Sequence, residues 1–223
     1  MGGTSLKFAL YQNGQLSQQS SFPTPADLES FYQLLDQEVA RYSAYHFSGI
    51  AISSPGAVNK EKGIIEGASA IPYIHHFKIQ EALEERLHYP ISIENDANCA
   101  ALAEATLGAG KGASSLAMLV LGTGVGGSLV IDGKIYHGAH LFGGEFGFMI
   151  MNPHMQTFSQ LGTVVNMAKR YSAAVNDGKA YTGKAVLMLA EQGDPLALTE
   201  RQIFLQSLAI GIFNIQHLSL IHI

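Results

Sequence analysis

The chain has 223 residues, 47% hydrophobic and 14% charged, with a formal net charge of −5. That length holds one large domain or two ordinary ones with a sizeable core, and the weak negative charge offers no footprint for nucleic acid or an anionic membrane. One cysteine, Cys99, excludes an internal disulfide framework, and no apolar run nears membrane-span length, so a soluble cytoplasmic protein is expected, without nucleic-acid or membrane partner.

The chain opens on a glycine turn, Gly2, Gly3, Thr4 and Ser5, ahead of the apolar segment Leu6 to Tyr11 and an Asn13-Gly14 hairpin signal. Such a turn can wrap a phosphate, because its backbone N–H groups reach the oxygens without interference from Cβ atoms. A strand would normally suspend it, and none precedes it in the sequence. Pro25 to Tyr45 has helical spacing, with Leu28, Phe31, Leu34, Leu35, Val39 and Tyr42 on one face. Phe47 to Ser53 reads as a buried strand turned by Ser54, Pro55 and Gly56, and Asn59 to Gly63 as a second turn. The small-residue loop from Gly67 to Pro72 suits close approach to a ligand, or equally a plain surface loop. Phe77 to Leu87 is a second amphipathic helix.

Ile91 and Ile93 end a strand, and Ala97 to Leu107 reads as a helix. Asn95 and Asp96 stand at that junction. Asp96 is either an N-cap for the free helix N–H groups or a carboxylate held ionised by the helix N-terminus beside a carboxamide, able to take a proton from a hydroxyl. No capping box supports the cap, since Cys99 stands three residues on.

The glycine-rich run Leu107 to Ala113 is the expected boundary between domains 1–113 and 114–223. The strand Leu116 to Leu121 then meets Gly122, Thr123, Gly124, Val125, Gly126 and Gly127. Their spacing matches a dinucleotide fingerprint, but that motif must open a helix. Here Ser128 to Ile131 is apolar and β-branched, and Asp132-Gly133 turns it into a hairpin. Strand, glycine turn, strand is the setting of a phosphate-binding β-turn, so two like turns suggest two like domains. Thr157 to Tyr171 and Thr199 to Leu218 both read as helices, the second with Ile203, Phe204, Leu208, Ile212 and Ile215 apolar.

In this order, Gly2-Gly3-Thr4, Ser54 to Val58, Glu94 to Asn98, Gly122 to Gly127 and Gly144-Glu145-Phe146-Gly147 resemble the motifs of the ROK family of bacterial sugar kinases and repressors. The resemblance runs from residue 2 to about residue 217. It implies an α/β, actin-like (ribonuclease-H-like) two-domain fold with mixed sheets flanked by helices, and a homodimer. It also implies that Asp96 is the general base for attack of a hexose hydroxyl, the 6-hydroxyl, on ATP. Asn95, Asp96 and Glu145, with Pro55, Gly56 and Gly67, would hold the sugar. Gly2 to Ser5 and Gly122 to Gly127 would hold the phosphates with Mg²⁺.

Many relatives carry a His after the Gly-Glu-x-Gly motif and then a cysteine-rich loop binding structural zinc. Phe148 takes the His position here and residues 149–161 contain no Cys, so no structural zinc is expected. His75, His76, His137 and His140 are expected in surface or supporting roles. Relatives with an Asn-Leu-Pro sugar loop differ from Ala70-Ile71-Pro72 here. The chain is most similar to the branch holding bacterial β-glucoside kinases, and glucose, a β-glucoside or an N-acetylhexosamine all fit as acceptor. The start at Gly2-Gly3-Thr4 and the ending Leu218 to Ile223 read as cuts, leaving the C-terminal part incomplete, with poor solubility or local disorder after about Leu208 expected and the isolated chain a poor kinase. Against a hexose kinase stand a sugar-responsive repressor, whose winged helix-turn-helix would precede the first glycine turn, and a non-catalytic sugar-binding module or related ATPase.

Overall fold

The computed structural model describes residues 1–219; residues 220–223, most of the atypical ending, lie outside the described part. The chain forms two compact units, Met1–Cys99 and the residues from Ala100 onward.

In the first unit, β1 (Ser5–Gln12) and β2 (Gln15–Pro23) pair antiparallel through Asn13-Gly14, whose φ angles of 52° and 81° are those of a tight left-handed hairpin turn. Helix α1 (Leu28–Arg41) is capped by Asp27, which accepts the Ser30 N–H at 2.9 Å, and buries Phe31 and Leu35. The strand β3 (Ile50–Ser54) runs parallel to β6 (Ile91–Asn95), Ile50 opposite Ile91 and Ser54 opposite Asn95. Between them lie the hairpin β4 (Ala57–Asn59) and β5 (Ile64–Glu66), a 3₁₀ turn Pro72–Ile74, and α2 (Ile79–Leu87). This is a crossover between parallel strands, which needs intervening structure of this length. Leu6, Phe31, Ile65, Ile71, Ile79 and Leu83 are almost wholly buried in one core. Each such side chain contributes about 1.5–3 kcal/mol through burial.

Helix α3 (Asp96–Thr106) begins where β6 ends, and the division between the units falls inside it. The second unit holds an antiparallel meander in the order β7 (Ser115–Leu121), β8 (Val125–Ile131), β9 (Lys134–Ile135). Four helices follow, α4 (Phe158–Leu161), α5 (Val164–Val175), α6 (Gly183–Glu191) and α7 (Pro195–Ser219).

The helix expected over Thr157 to Tyr171 is two helices. Gly162 ends α4 and the buried Thr163 caps α5, its side chain accepting the Asn166 N–H at 3.1 Å. Helix α6 was not foreseen, although Thr182 caps it and Val186 and Ala190 form its buried face. Helix α7 is continuous to Ser219, because Phe204 and Ile215 are buried within the unit and Phe158 packs over Gly211, where a Cβ would strike its ring. Among the described residues no helix is long and apolar enough to cross a membrane.

Candidate functional site

Two parallel neighbouring strands place their carboxyl ends together, the position where open α/β sheets receive ligands. β3 ends into Pro55-Gly56, and β6 ends into Asn95-Asp96. Asn95 joins the two ends, its Nδ2 donating to the Gly56 carbonyl at 3.0 Å. Its Oδ1 accepts the N–H groups of Ala97 at 2.9 Å and Asn98 at 3.2 Å. The cap of α3 is therefore Asn95, and the N-cap reading of Asp96 is corrected. A carboxamide at the strand end has both the acceptor for the helix and the donor for the neighbouring turn. Asp96 is left as the first helical residue, exposed, its Oδ1 2.8 Å from the Ala97 N–H.

Glu94, one residue earlier, is buried beneath this corner. Its carboxylate accepts from Lys60 Nζ at 2.7 Å, from the Asn95 N–H at 2.8 Å and from Asn98 Nδ2 at 2.9 Å. Burial pushes this carboxyl up, but the hydrogen bonds from Lys60, Asn98 and the Asn95 backbone outweigh it and hold Glu94 below the usual carboxylate range. Lys60 sits in the β4–β5 turn and nothing in its sequence context pointed to it. Cys99 rests against the Glu94 carbonyl at 3.9 Å, and burial pushes its thiol up, away from reactivity.

The first glycine turn belongs to the same unit. Gly2 N donates to the Ser5 carbonyl at 3.1 Å, and Thr24 N to the Thr4 carbonyl at 3.1 Å. Among the described residues the N–H groups of the exposed Gly3 and Thr4 have no recorded acceptor, which fits a turn that presents amides to an anion. A Cβ on Gly3 would collide with the Ala70 methyl, so the loop from Gly67 to Ile71 lies directly on this turn. Gly67, at φ 76°, opens that loop and is itself exposed. Of the two roles expected for the adjacent histidines, surface or supporting, His75 is not at the surface. It is buried, beside the left-handed Gly56 at φ 97°, whereas His76 is exposed.

In the second unit Gly122 N donates to the Gly124 carbonyl at 2.9 Å, closing a tight turn between β7 and β8. The strand β8 follows directly, with Gly126 opposite Val120 and Gly127 opposite Leu119, so the run opens no helix. Thr123 and Gly124 offer N–H groups with no recorded acceptor among the described residues. Two residues not singled out in the sequence hold the turn. Ser159 Oγ accepts the Val125 N–H at 3.0 Å, and Asn166 Nδ2 donates to the Thr123 carbonyl at 3.1 Å and the Ser159 carbonyl at 2.7 Å. Gly144, at φ 87°, lies against the backbone of Ser128, and a Cβ on Gly147 would meet the Val125 carbonyl. Gly147→Ala is therefore expected to destabilise the protein by about 1–3 kcal/mol, the usual cost of forcing extra volume into packed backbone. A urea midpoint unchanged from wild type would overturn this. Glu145 is half-buried, and the exposed rings of Phe142 and Phe148, three residues to either side of it in the chain, meet edge to face with centroids 6.4 Å apart. Among the described residues no three His, Cys, Asp or Glu side chains gather as a metal ligand set.

A strand-end carboxylate on one unit, and in each unit a glycine turn feeding an antiparallel strand pair, are features of the actin-like ATPase fold. The chain belongs to the ROK family, whose model matches residues 1–222. It is 35% identical over 225 residues to an uncharacterized Clostridium perfringens protein, covering 98% of this chain and 75% of that one. It is 32% identical over 178 residues to a β-glucoside kinase of Listeria innocua, covering 77% of this chain and 60% of the kinase. A crystal structure of a ROK family protein from Streptococcus pneumoniae in complex with sucrose superposes with a TM-score of 0.86 at 39% identity, covering 98% of this chain and 74% of that one.

Proposed function

We propose that this chain carries out ATP-dependent phosphorylation of a sugar hydroxyl, the 6-hydroxyl of glucose or of a β-glucoside, with Asp96 as general base. The observation that carries the proposal is the division of labour at the end of β6. Asn95 satisfies both the helix and the Gly56 carbonyl, and so leaves the Asp96 carboxylate exposed at the ends of parallel strands. A carboxylate needed only to cap the helix would not stand there beside a cap already made.

The protein is a carbohydrate kinase of the ROK family, acting in the cytoplasm as a homodimer. Its N-terminal lobe, residues 1–113, brings the first phosphate turn, the sugar loop and Asp96, and residues 114–223 bring the second turn and Glu145. Asp96 accepts the proton of the attacking hydroxyl as its oxygen bonds to the γ-phosphorus and the bond to the departing ADP oxygen breaks. Such transfers depend mainly on positioning and charge stabilisation. Pro55, Gly56 and Gly67 shape the sugar side, where the second amide hydrogen of Asn95 and the Glu145 carboxylate engage neighbouring hydroxyls. The amides of Gly3, Thr4, Thr123 and Gly124 receive phosphate oxygens within the turns Gly2–Ser5 and Gly122–Gly127. Mg²⁺, bound to the nucleotide, neutralises charge on the transferring phosphoryl group. The Listeria relative named as a β-glucoside kinase supports this acceptor class.

An ADP-coupled screen of glucose, cellobiose, gentiobiose and N-acetylhexosamines tests the proposal. Mg²⁺-dependent ADP release with glucose or a β-glucoside is expected, with phosphorus NMR placing the new ester at the 6-position. Sugar binding without ADP release for every acceptor would sink it in favour of a binding protein.

A further inference from the structure

His75 is buried, follows the 3₁₀ turn Pro72–Ile74, and takes no part in the chemistry above. Its Nε2 lies 2.7 Å from Ser69 Oγ, and the same oxygen accepts the Ile71 N–H at 3.1 Å. Among the described residues His75 Nδ1 is buried with no hydrogen-bond partner. Hydrogen counting decides the tautomer. Were Ser69 to donate to Nε2, Nδ1 would carry a buried N–H without an acceptor, which proteins rarely tolerate. With the proton on Nε2, the Ser69 oxygen accepts twice, from Nε2–H and from Ile71 N–H, and both its lone pairs are used. Its own hydrogen must then donate elsewhere, and Ser69 is only partly buried. A serine hydroxyl ordinarily turns to suit its surroundings. This one is fixed by two donors.

The same histidine is tied to the catalytic corner. A Cβ on Gly56 would sit 2.8 Å from His75 Cε1, so the imidazole packs directly on the residue whose carbonyl holds Asn95 Nδ2 at 3.0 Å. The neighbour of Ser69, Ala70, lies on Gly3 of the phosphate turn. We propose that His75 is a positioning residue, which aims the Ser69 hydroxyl hydrogen as a donor to an oxygen of the acceptor sugar. This rests on the sugar-kinase reading. It supplies the polar contact in a loop whose next three residues, Ala70, Ile71 and Pro72, offer no polar side chain.

Steady-state kinetics of the active protein with its best acceptor test the pair. Ser69→Ala is expected to raise KM for the sugar roughly three- to ten-fold, the worth of one neutral hydrogen bond, while kcat and KM for ATP change far less. His75→Phe keeps a planar ring and removes the donor, and should give the same rise. The double variant should add nothing further, because both act through one hydroxyl. His75→Gln, whose amide N–H can replace Nε2–H, should restore most of the sugar affinity. If His75→Phe does not fold, Ser69→Ala and His75→Gln decide the matter. An unchanged sugar KM in Ser69→Ala, or a His75→Phe defect that Gln does not rescue and that raises both KM values alike, would overturn the proposal. Calorimetric Kd values for the same variants separate the two readings. Sugar binding without turnover refutes the kinase reading while still scoring the Ser69–His75 pair, and wild type binding no sugar refutes both.

Discussion

Asp96→Asn is expected to lower kcat by a factor of ~10²–10⁴, the usual contribution of a positioned general base, with little change in the acceptor KM. The structure makes this substitution cleaner than most. The asparagine side chain retains an oxygen for the Ala97 N–H that Asp96 Oδ1 now accepts, and the cap of α3 stays with Asn95. Stability should therefore stay within about 0.5 kcal/mol of wild type, as for an ordinary exposed position. Only the capacity to take a proton is removed. Turnover within a few-fold of wild type would return Asp96 to the role of an acidic residue at a helix start.

The largest effect on stability is expected one residue earlier. Glu94→Ala removes the buried acceptor that joins Lys60, the Asn95 backbone and Asn98. Each hydrogen bond to a buried charged acceptor is worth about 1.5–3 kcal/mol, a large part of a ~5–15 kcal/mol margin. Lys60→Met should cost less, because the Lys60 side chain is 48% exposed and water already screens part of the pair. The pH dependence has a definite sign. Since the folded protein holds Glu94 below its ordinary range, its contribution is fully present above the unfolded carboxylate pKa and is lost as pH falls through the lower folded value. Urea midpoints should thus fall on acidification in wild type and fall less in Glu94→Gln. Parallel curves for the two proteins would show that Glu94 is not the titrating group.

Much of the first unit was legible because its signals are local. Asn13-Gly14 dictates its hairpin, and the spacing of Phe31 and Leu35 dictates the buried face of α1. The glycine run at Gly122 was also legible as a strand turn, since the β-branched residues after it cannot be confused with a helix start. What escaped depends on contacts between distant segments. The choice of Asn95 over Asp96 as cap follows from the Gly56 carbonyl, which only the parallel pairing of β3 and β6 brings within reach. Lys60, Ser159 and Asn166 carry no motif; each is defined by the backbone or carboxylate it happens to face. Whether His75 or His76 lies at the surface stayed open, because nothing in Ile74-His75-His76 says which ring turns inward. The split between α4 and α5 was missed for a different reason. Gly162 and Thr163 are weak stop and start signals inside a run whose apolar spacing continues through them.

The parallel pairing of β3 with β6 bears on how the protein reaches its native state. Ile50 meets Ile91 only after the intervening hairpin and α2 have been looped back, so closure entropy is spent before any contact in this ladder repays it. The Asn95–Gly56 bond lies at the far end of that ladder, where Ser54 faces Asn95. Asp96 thus has its surroundings only once that ladder has closed along its length. A chain in which β3 and β6 are unpaired holds the Asp96 carboxylate but not the Asn95–Gly56 bond beside it.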